Sequence, residues 1–259
     1  MLSTSLQYDI TSWLNVAGRV NVDNANTKGE NQYYAGTLPN FAGKKGRYAL
    51  TLRNDNQVYA DAIASLNKTV DKFSFNVNVG GSIKHTHFDL HNVEGDLKNY
   101  SNVFTTENTA GSSYFKINDD ILDREVQSVF ASAEIGYNHF LYLSLTARND
   151  WDSALTWSTG DQSFFYPSVG LSTLVSEVVK LPKWFTFLKA RGSYTNVGNS
   201  YDSYLTRTRQ MYESVPNGTY SKQGIRPRSD LKPEMTRSYE FGLNMKFLNN
   251  SLSLDATYY

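Results

Sequence analysis

The chain of 259 residues contains no cysteine, which excludes disulfides, thiolate-bound zinc or clusters, and a cysteine nucleophile. Net charge is missing as well, because 25 Lys and Arg balance 25 Asp and Glu. No global field therefore draws in nucleic acid or acidic substrates. No apolar run approaches the roughly 20 residues of a membrane helix. That absence leaves membrane strands open, since they are apolar only at alternate residues and window-averaged hydropathy hides them. The opening Met1-Leu2-Ser3-Thr4-Ser5 has neither the basic nor the apolar region of a secretory signal. The expectation is a cytoplasmic protein or a chain that begins inside a longer one.

Aromatics, by contrast, are plentiful, with 18 Tyr and 14 Phe, and both suit strands better than helices. Period-2 alternation recurs. Leu14, Val16, Gly18, Val20 and Val22 alternate with Asn15, Ala17, Arg19, Asn21 and Asp23. The same pattern holds for Phe73 to Ile83, Tyr239 to Phe247 and Leu252 to Tyr258. No apolar face in these segments carries a charge; Arg19, Arg148, Lys189, Arg191 and Lys246 fall on the polar side. A lipid-facing Lys or Arg near the midplane costs about 2 to 4 kcal/mol, so this sorting suits a barrel. A soluble sandwich, wet on one face of each sheet, would alternate in the same way.

Connection lengths separate the two. Short links are expected at Thr11 to Trp13, Asn67 to Lys72, Tyr137 to His139 and Leu248 to Ser251, with a longer one at Ser176 to Lys183. Between them lie polar stretches at about Asn24 to Asn56, Thr86 to Leu122, Trp151 to Ser163 and Asn199 to Glu234. Alternating short and long links put every turn at one end of a sheet and every loop at the other, as in outer-membrane barrels. Aromatics at strand ends, such as Trp13, Trp151, Phe164-Phe165-Tyr166, Trp184-Phe185 and Tyr258-Tyr259, fit an interfacial girdle, although core or edge packing in any β-protein would also use them.

Specific residues add a family resemblance. The run Tyr137 to Leu143, followed by Ala147-Arg148-Asn149-Asp150-Trp151-Asp152-Ser153-Ala154-Leu155, resembles a signature hairpin of SusC/RagA-type TonB-linked outer-membrane proteins. Phe165-Tyr166-Pro167-Ser168-Val169-Gly170, then Leu188-Lys189-Ala190-Arg191-Gly192, then Leu231-Lys232-Pro233-Glu234 follow in the family's order. Several ordered matches are harder to obtain by chance than one. The resemblance implies an all-β fold, a partial antiparallel transmembrane β-barrel of about ten strands, with residues 1–259 as barrel without plug domain or signal peptide. It also implies the outer membrane as location, with energised uptake of oligosaccharides or peptides. The implied partners are TonB with its inner-membrane motor proteins, a SusD-like surface lipoprotein and outer-membrane lipid. No cofactor, nucleic acid or covalent chemistry is implied. The signature residues Arg148, Asn149, Asp150, Trp151, Tyr166, Pro167, Lys189, Arg191, Lys232, Pro233 and Glu234 take a structural role in this reading. A soluble or surface-attached β-sandwich that binds carbohydrate is the alternative.

Three further groups invite chemistry. His85, His87 and His91 stand where a strand is expected to run into a loop, and such spacing could bind zinc or copper; solvated loop histidines are the commoner case. Asp119, Asp120 and Asp123 could ligate calcium, but lack the glycine and terminal glutamate of an EF-hand loop. Tyr33, Tyr34, Trp157, Tyr201, Tyr204, Tyr212 and Tyr220 fall on expected loops, where aromatics stack on sugars or contact a protein, or pack loop on loop. No nucleophile elbow, zinc-protease helix or phosphate loop is present, and no catalytic residue is nominated.

Overall fold

A computed structural model describes residues 1–156, 162–205, 210–211, 221–222 and 228–259. The strands are β1 (Leu2–Thr11), β2 (Leu14–Tyr34), β3 (Gly46–Val70), β4 (Phe73–Asp96), β5 (Phe115–Tyr137), β6 (Leu141–Asp152), β7 (Ser163–Leu174), β8 (Phe185–Asn199), β9 (Gln210–Met211), β10 (Ser221–Lys222), β11 (Glu234–Phe247) and β12 (Leu252–Tyr258). Ten of them make one antiparallel sheet in the order β1 to β8, then β11 and β12, while β9 and β10 pair separately. The described helices are short: α1 (Thr106–Thr109), α2 (Val175–Val178) and a 3-10 turn at Ser153–Leu155. None is long and apolar enough to cross a membrane, and no second large sheet packs on the first among the described residues.

Register gives each face its character. One row runs Tyr8, Val16, Ala64, Val79, Ala131, Ala147 and Pro167 across seven strands. A row on the opposite face runs Arg19, Asp61, Ser82, Ser128 and Asp150. Side chains on the apolar face stay open: Leu6 is 78% exposed and Phe241 61%. Water would tax such a surface, whereas hydrocarbon would not. On β4 the apolar stretch from Phe73 to Ile83 is about 33 Å long, or about 24 Å along the normal of a strand tilted by about 45°, close to the height of a barrel's lipid band. Lys68 shares this face at the turn end, where its ammonium lies 4.9 Å from the Trp13 ring centroid, the snorkelling position of a basic group.

Turns at this end are tight and left-handed. Asp71, Asn138, His139, Leu248, Asn249 and Asn250 all have positive φ, a region that Asn and Asp tolerate better than most residues. Aromatics line the same end: Phe73 lies 5.0 Å from Tyr137, and Trp184 and Phe185 stack with Phe247 at 6.0 and 4.8 Å. The opposite end differs from the sequence expectation. The polar stretches at Asn24 to Asn56 and Thr86 to Leu122 are largely strand: β2 and β3 stay paired to Tyr34 and Gly46, and β4 and β5 to Gly95 and Phe115. The true loops are only 35–45 and 97–114.

Candidate functional site

Three regions carry the polar chemistry: the charged face of the wall, the tip of the long strands, and the rim where the apolar band ends. On the charged face Arg19 donates two hydrogen bonds to Asp61 across the β2–β3 ladder, at 3.0 and 2.9 Å. Arg148 donates to Asp150 at 2.7 Å and to Ser128 at 2.9 Å, and the Tyr166 hydroxyl donates to the second oxygen of Asp150 at 2.6 Å. Arg124 forks onto Asp152 at 3.1 and 2.5 Å. Arg191 reaches Glu240 at 3.3 Å and Thr257 at 2.8 Å. Asp61, Asp150 and Asp152 are buried, and each has a guanidinium partner, as buried carboxylates require. Close cover on this face depends on Gly80: a Cβ there would lie 2.7 Å from the Ala62 carbonyl oxygen and 2.8 Å from the Phe130 ring.

The signature run of β6 divides between the two faces. Asp150 and Asp152 enter the network just described, and Asp152 also accepts from the Ala154 backbone at 2.9 Å to start the 3-10 turn. Ala154 and Leu155, the second and third residues of that turn, are buried. Asn149 and Trp151 point to the other face, opposite Val129 and Gln127. Pro167 stands opposite Ala147, and the β7–β8 ladder begins only at Ser168, which suits a residue with no N–H to give. Lys189 pairs with Asn244, and Glu234 opens β11 opposite Asn199, after Lys232 and Pro233.

At the tip, loops 35–45 and 97–114 are strapped to each other. Asn102 accepts from the Ala35 backbone at 2.7 Å and donates its own N–H to the Lys45 carbonyl at 3.2 Å. The Lys45 ammonium donates to the carbonyls of Lys98 and Asn99 at 2.8 and 3.0 Å. Buried Asn108 makes four side-chain bonds, accepting from the Asn99 and Tyr100 backbones and donating to the Tyr100 and Val103 carbonyls. Asp96 accepts from Gly43 at 3.0 Å and Arg47 at 2.8 Å. Gly46 has φ +109, and a Cβ would sit 2.4 Å from the Tyr33 carbonyl oxygen, so only glycine fits this corner. Below it, Lys28 donates to Glu30, which holds that carboxyl below the ordinary glutamate range, while burial raises the Tyr48 hydroxyl.

The histidines expected at a strand–loop junction lie inside β4, with partners that sequence spacing did not reveal. His87 Nδ1 lies 2.7 Å from Asp123, and His91 Nδ1 lies 2.5 Å from Asp119. Both aspartates, with Asp120 between them, belong to β5 and not to a loop end. Among the described residues no three histidine or acidic side chains are placed to hold a metal ion. Of the loop aromatics, Tyr33 and Tyr34 end β2, with Tyr34 edge-on to Phe104 at 4.9 Å, and Tyr201 and Tyr204 follow β8. Trp157, Tyr212 and Tyr220 lie outside the described residues.

Comparison with known proteins agrees with this geometry. The family model described as "TonB dependent receptor-like, beta-barrel" matches residues 1–259. No protein of curated function matches the chain in sequence. Among solved structures, the RagAB peptide transporter superposes with a TM-score of 0.81 at 16% identity, over 98% of this chain and 29% of that one. The siderophore receptor PiuA from Acinetobacter baumannii gives 0.56 at 14% identity, over 98% and 38%, and the ferric-catecholate import receptor Fiu from E. coli K12 gives 0.57 at 9%, over 98% and 39%. The chain thus spans less than a third of the length of the RagAB chain it matches, and at these identities the likeness is one of fold.

Proposed function

The chain belongs to the TonB dependent receptor-like β-barrel family, whose barrels are outer-membrane receptors and transporters and not enzymes, and from that membership we propose that it forms wall and outer tip of a SusC/RagA-type importer. In this reading TonB and its inner-membrane motor proteins energise uptake of oligosaccharides or peptides, and a SusD-like surface lipoprotein serves as partner. The apolar face meets lipid, the charged face lines the interior, and the strapped tip stands on the cell exterior. The observation that carries the reading is the sorting of charge. In the band from Phe73 to Ile83 and its neighbouring strands, arginine and carboxylate side chains keep to one face while the other stays apolar and open. A sheet sorted in this way is stable when hydrocarbon covers one side and water the other. The resemblance in fold to the RagAB peptide transporter supports a peptide or similar oligomer as cargo.

The test is an immunoblot of fractionated source cells with antibody against this segment, followed by uptake of labelled peptides and oligosaccharides in cells with the gene, set against cells lacking it. The expected result is an outer-membrane band, with uptake that stops when the proton gradient is collapsed. A band confined to the soluble fraction would overturn the reading and return attention to a carbohydrate-binding surface module.

A further inference from the structure

Where the apolar band ends on β5 and β6, a cavity of about 410 Å³ is lined by Glu125, Gln127 and Trp151 of the apolar face, by Asp152 and Ser153 at the start of the 3-10 turn, and by Thr156 and Gln162. That volume lies within the range of small-ligand clefts. Trp151 is 45% exposed, so its ring is available to a ligand. Around it, Gln127 donates to Glu125 at 2.8 Å, and the Glu125 backbone donates to Ser153 at 2.9 Å, which fixes the rim before anything binds. A flat aromatic face ringed by amide, hydroxyl and carboxylate groups stacks on the C–H face of a sugar while accepting and donating bonds to its hydroxyls.

A second observation extends this chemistry upward and sideways. Four residues beyond Gln127 on β5, one register row of the same face runs Asn24, Asn56, His87 and Asp123 across β2 to β5. Asn24 donates to Asn56, and His87 pairs with Asp123. This row holds amides, imidazole and carboxylate, with no Lys or Arg. Such a surface suits hydroxyl-rich sugar and disfavours bare phosphate, which a carboxylate repels.

We propose that the Trp151 cavity and the Asn24-Asn56-His87-Asp123 row bind the sugar headgroup of an outer-leaflet glycolipid, whose acyl chains lie on the apolar band directly below. The assignment rests on the reading that this face meets lipid. A free glycan would offer the same sugar chemistry, but the cavity opens on the apolar face, where a sugar arrives already tethered to hydrocarbon.

The test uses the full-length transporter purified in mild detergent, exposed to vesicles containing a hexosamine-based glycolipid or to phosphatidylethanolamine vesicles, with bound lipid counted by native mass spectrometry. Wild-type protein retains the glycolipid in preference to phosphatidylethanolamine. Trp151→Ala lowers retention about tenfold, in line with losing one buried aromatic contact, and Trp151→Phe restores part of it. Gln127→Leu, at an exposed position, serves as a second variant if Trp151→Ala assembles poorly, and lowers retention as well. Equal retention of both lipids, or unchanged retention in the Phe and Leu variants, overturns the proposal. So does competition by the free oligosaccharide at the same concentration as the glycolipid. Failure of the transporter reading would instead show as absence from the outer membrane before any lipid is counted.

Discussion

The four strands β2 to β5 and the strands that follow them solve the same problem differently. β2 to β5 run for 21 to 25 residues, while β6, β7, β8 and β11 run for 12 to 15. The shorter set ends near the rim and hands the chain to connections such as 200–233. The longer set carries its ladder past the band and closes with two compact loops tied to each other through Asn102 and Lys45, the second of them braced from within by Asn108. Backbone hydrogen bonds satisfied within a ladder need no further partners, so the long strands raise a paired platform beyond the band. The difference teaches that strand length in such a wall is set by two demands: the apolar band fixes the lower segment, and the strapped tip fixes the rest.

The sharpest way to break the comparison is to move a charge along one face of β4. Val79→Arg, inside the band, should cost about 2 to 4 kcal/mol, while Asp89→Arg, above it, should cost about 0 to 1. Immunoblotting of outer membranes should show strong loss for the first and little for the second; equal loss would erase the proposed boundary. Next in size is Asn108→Leu, which removes the buried side chain's bonds to the Asn99, Tyr100 and Val103 backbones and should cost about 1 to 3 kcal/mol in all. Protease added to intact cells should then cut within 97–114 while the amount of barrel stays unchanged.

Gly46→Ala comes third, at about 1 to 2 kcal/mol for a left-handed residue against a carbonyl. Its signature is faster hydrogen exchange at Leu97, whose amide donates to the Gly46 carbonyl at 2.9 Å. Gly29→Ala is the control, because a Cβ there meets only Thr51 at an ordinary 3.7 Å. The smallest effect is one of pH. The Glu30 carboxyl is held low mainly by its hydrogen bond from Lys28. Its contribution is therefore present above the ordinary glutamate range and lost as pH falls below about 4.3 through the depressed value. Protection at the upper end of β2, taken as exchange relative to the free-peptide rate at each pH, should fall on acidification in the native chain and change less in Glu30→Gln.

The same contrast explains what the sequence made legible. Leu14 to Val22, Phe73 to Ile83 and Tyr239 to Phe247 alternate because lipid and water face each other across the strand, so their strands and faces could be read directly. Above the band both faces are wet. Asn24, Asn26, Asn54 and Asn56 show no period, and the stretch reads as loop although it is ladder. The pairing of His87 with Asp123 and of His91 with Asp119 was hidden for a related reason: it depends on the β4–β5 register, which is set by the apolar segment far below. Trp151 stood out as an aromatic at a strand end, but its cavity appears only when Gln127 and Glu125 are brought beside it.

The meander itself carries a consequence for how the wall is built. Every strand of the main sheet pairs with the strand before it in that sheet, so each ladder closes a loop no longer than one hairpin connection, and only β8 to β11 must bridge a stretch as long as 200–233. Closure entropy grows slowly with loop length, and local topology speeds folding. The wall can therefore grow hairpin by hairpin, each finished pair serving as the template for the next, with the joining of β8 to β11 as its slowest seam.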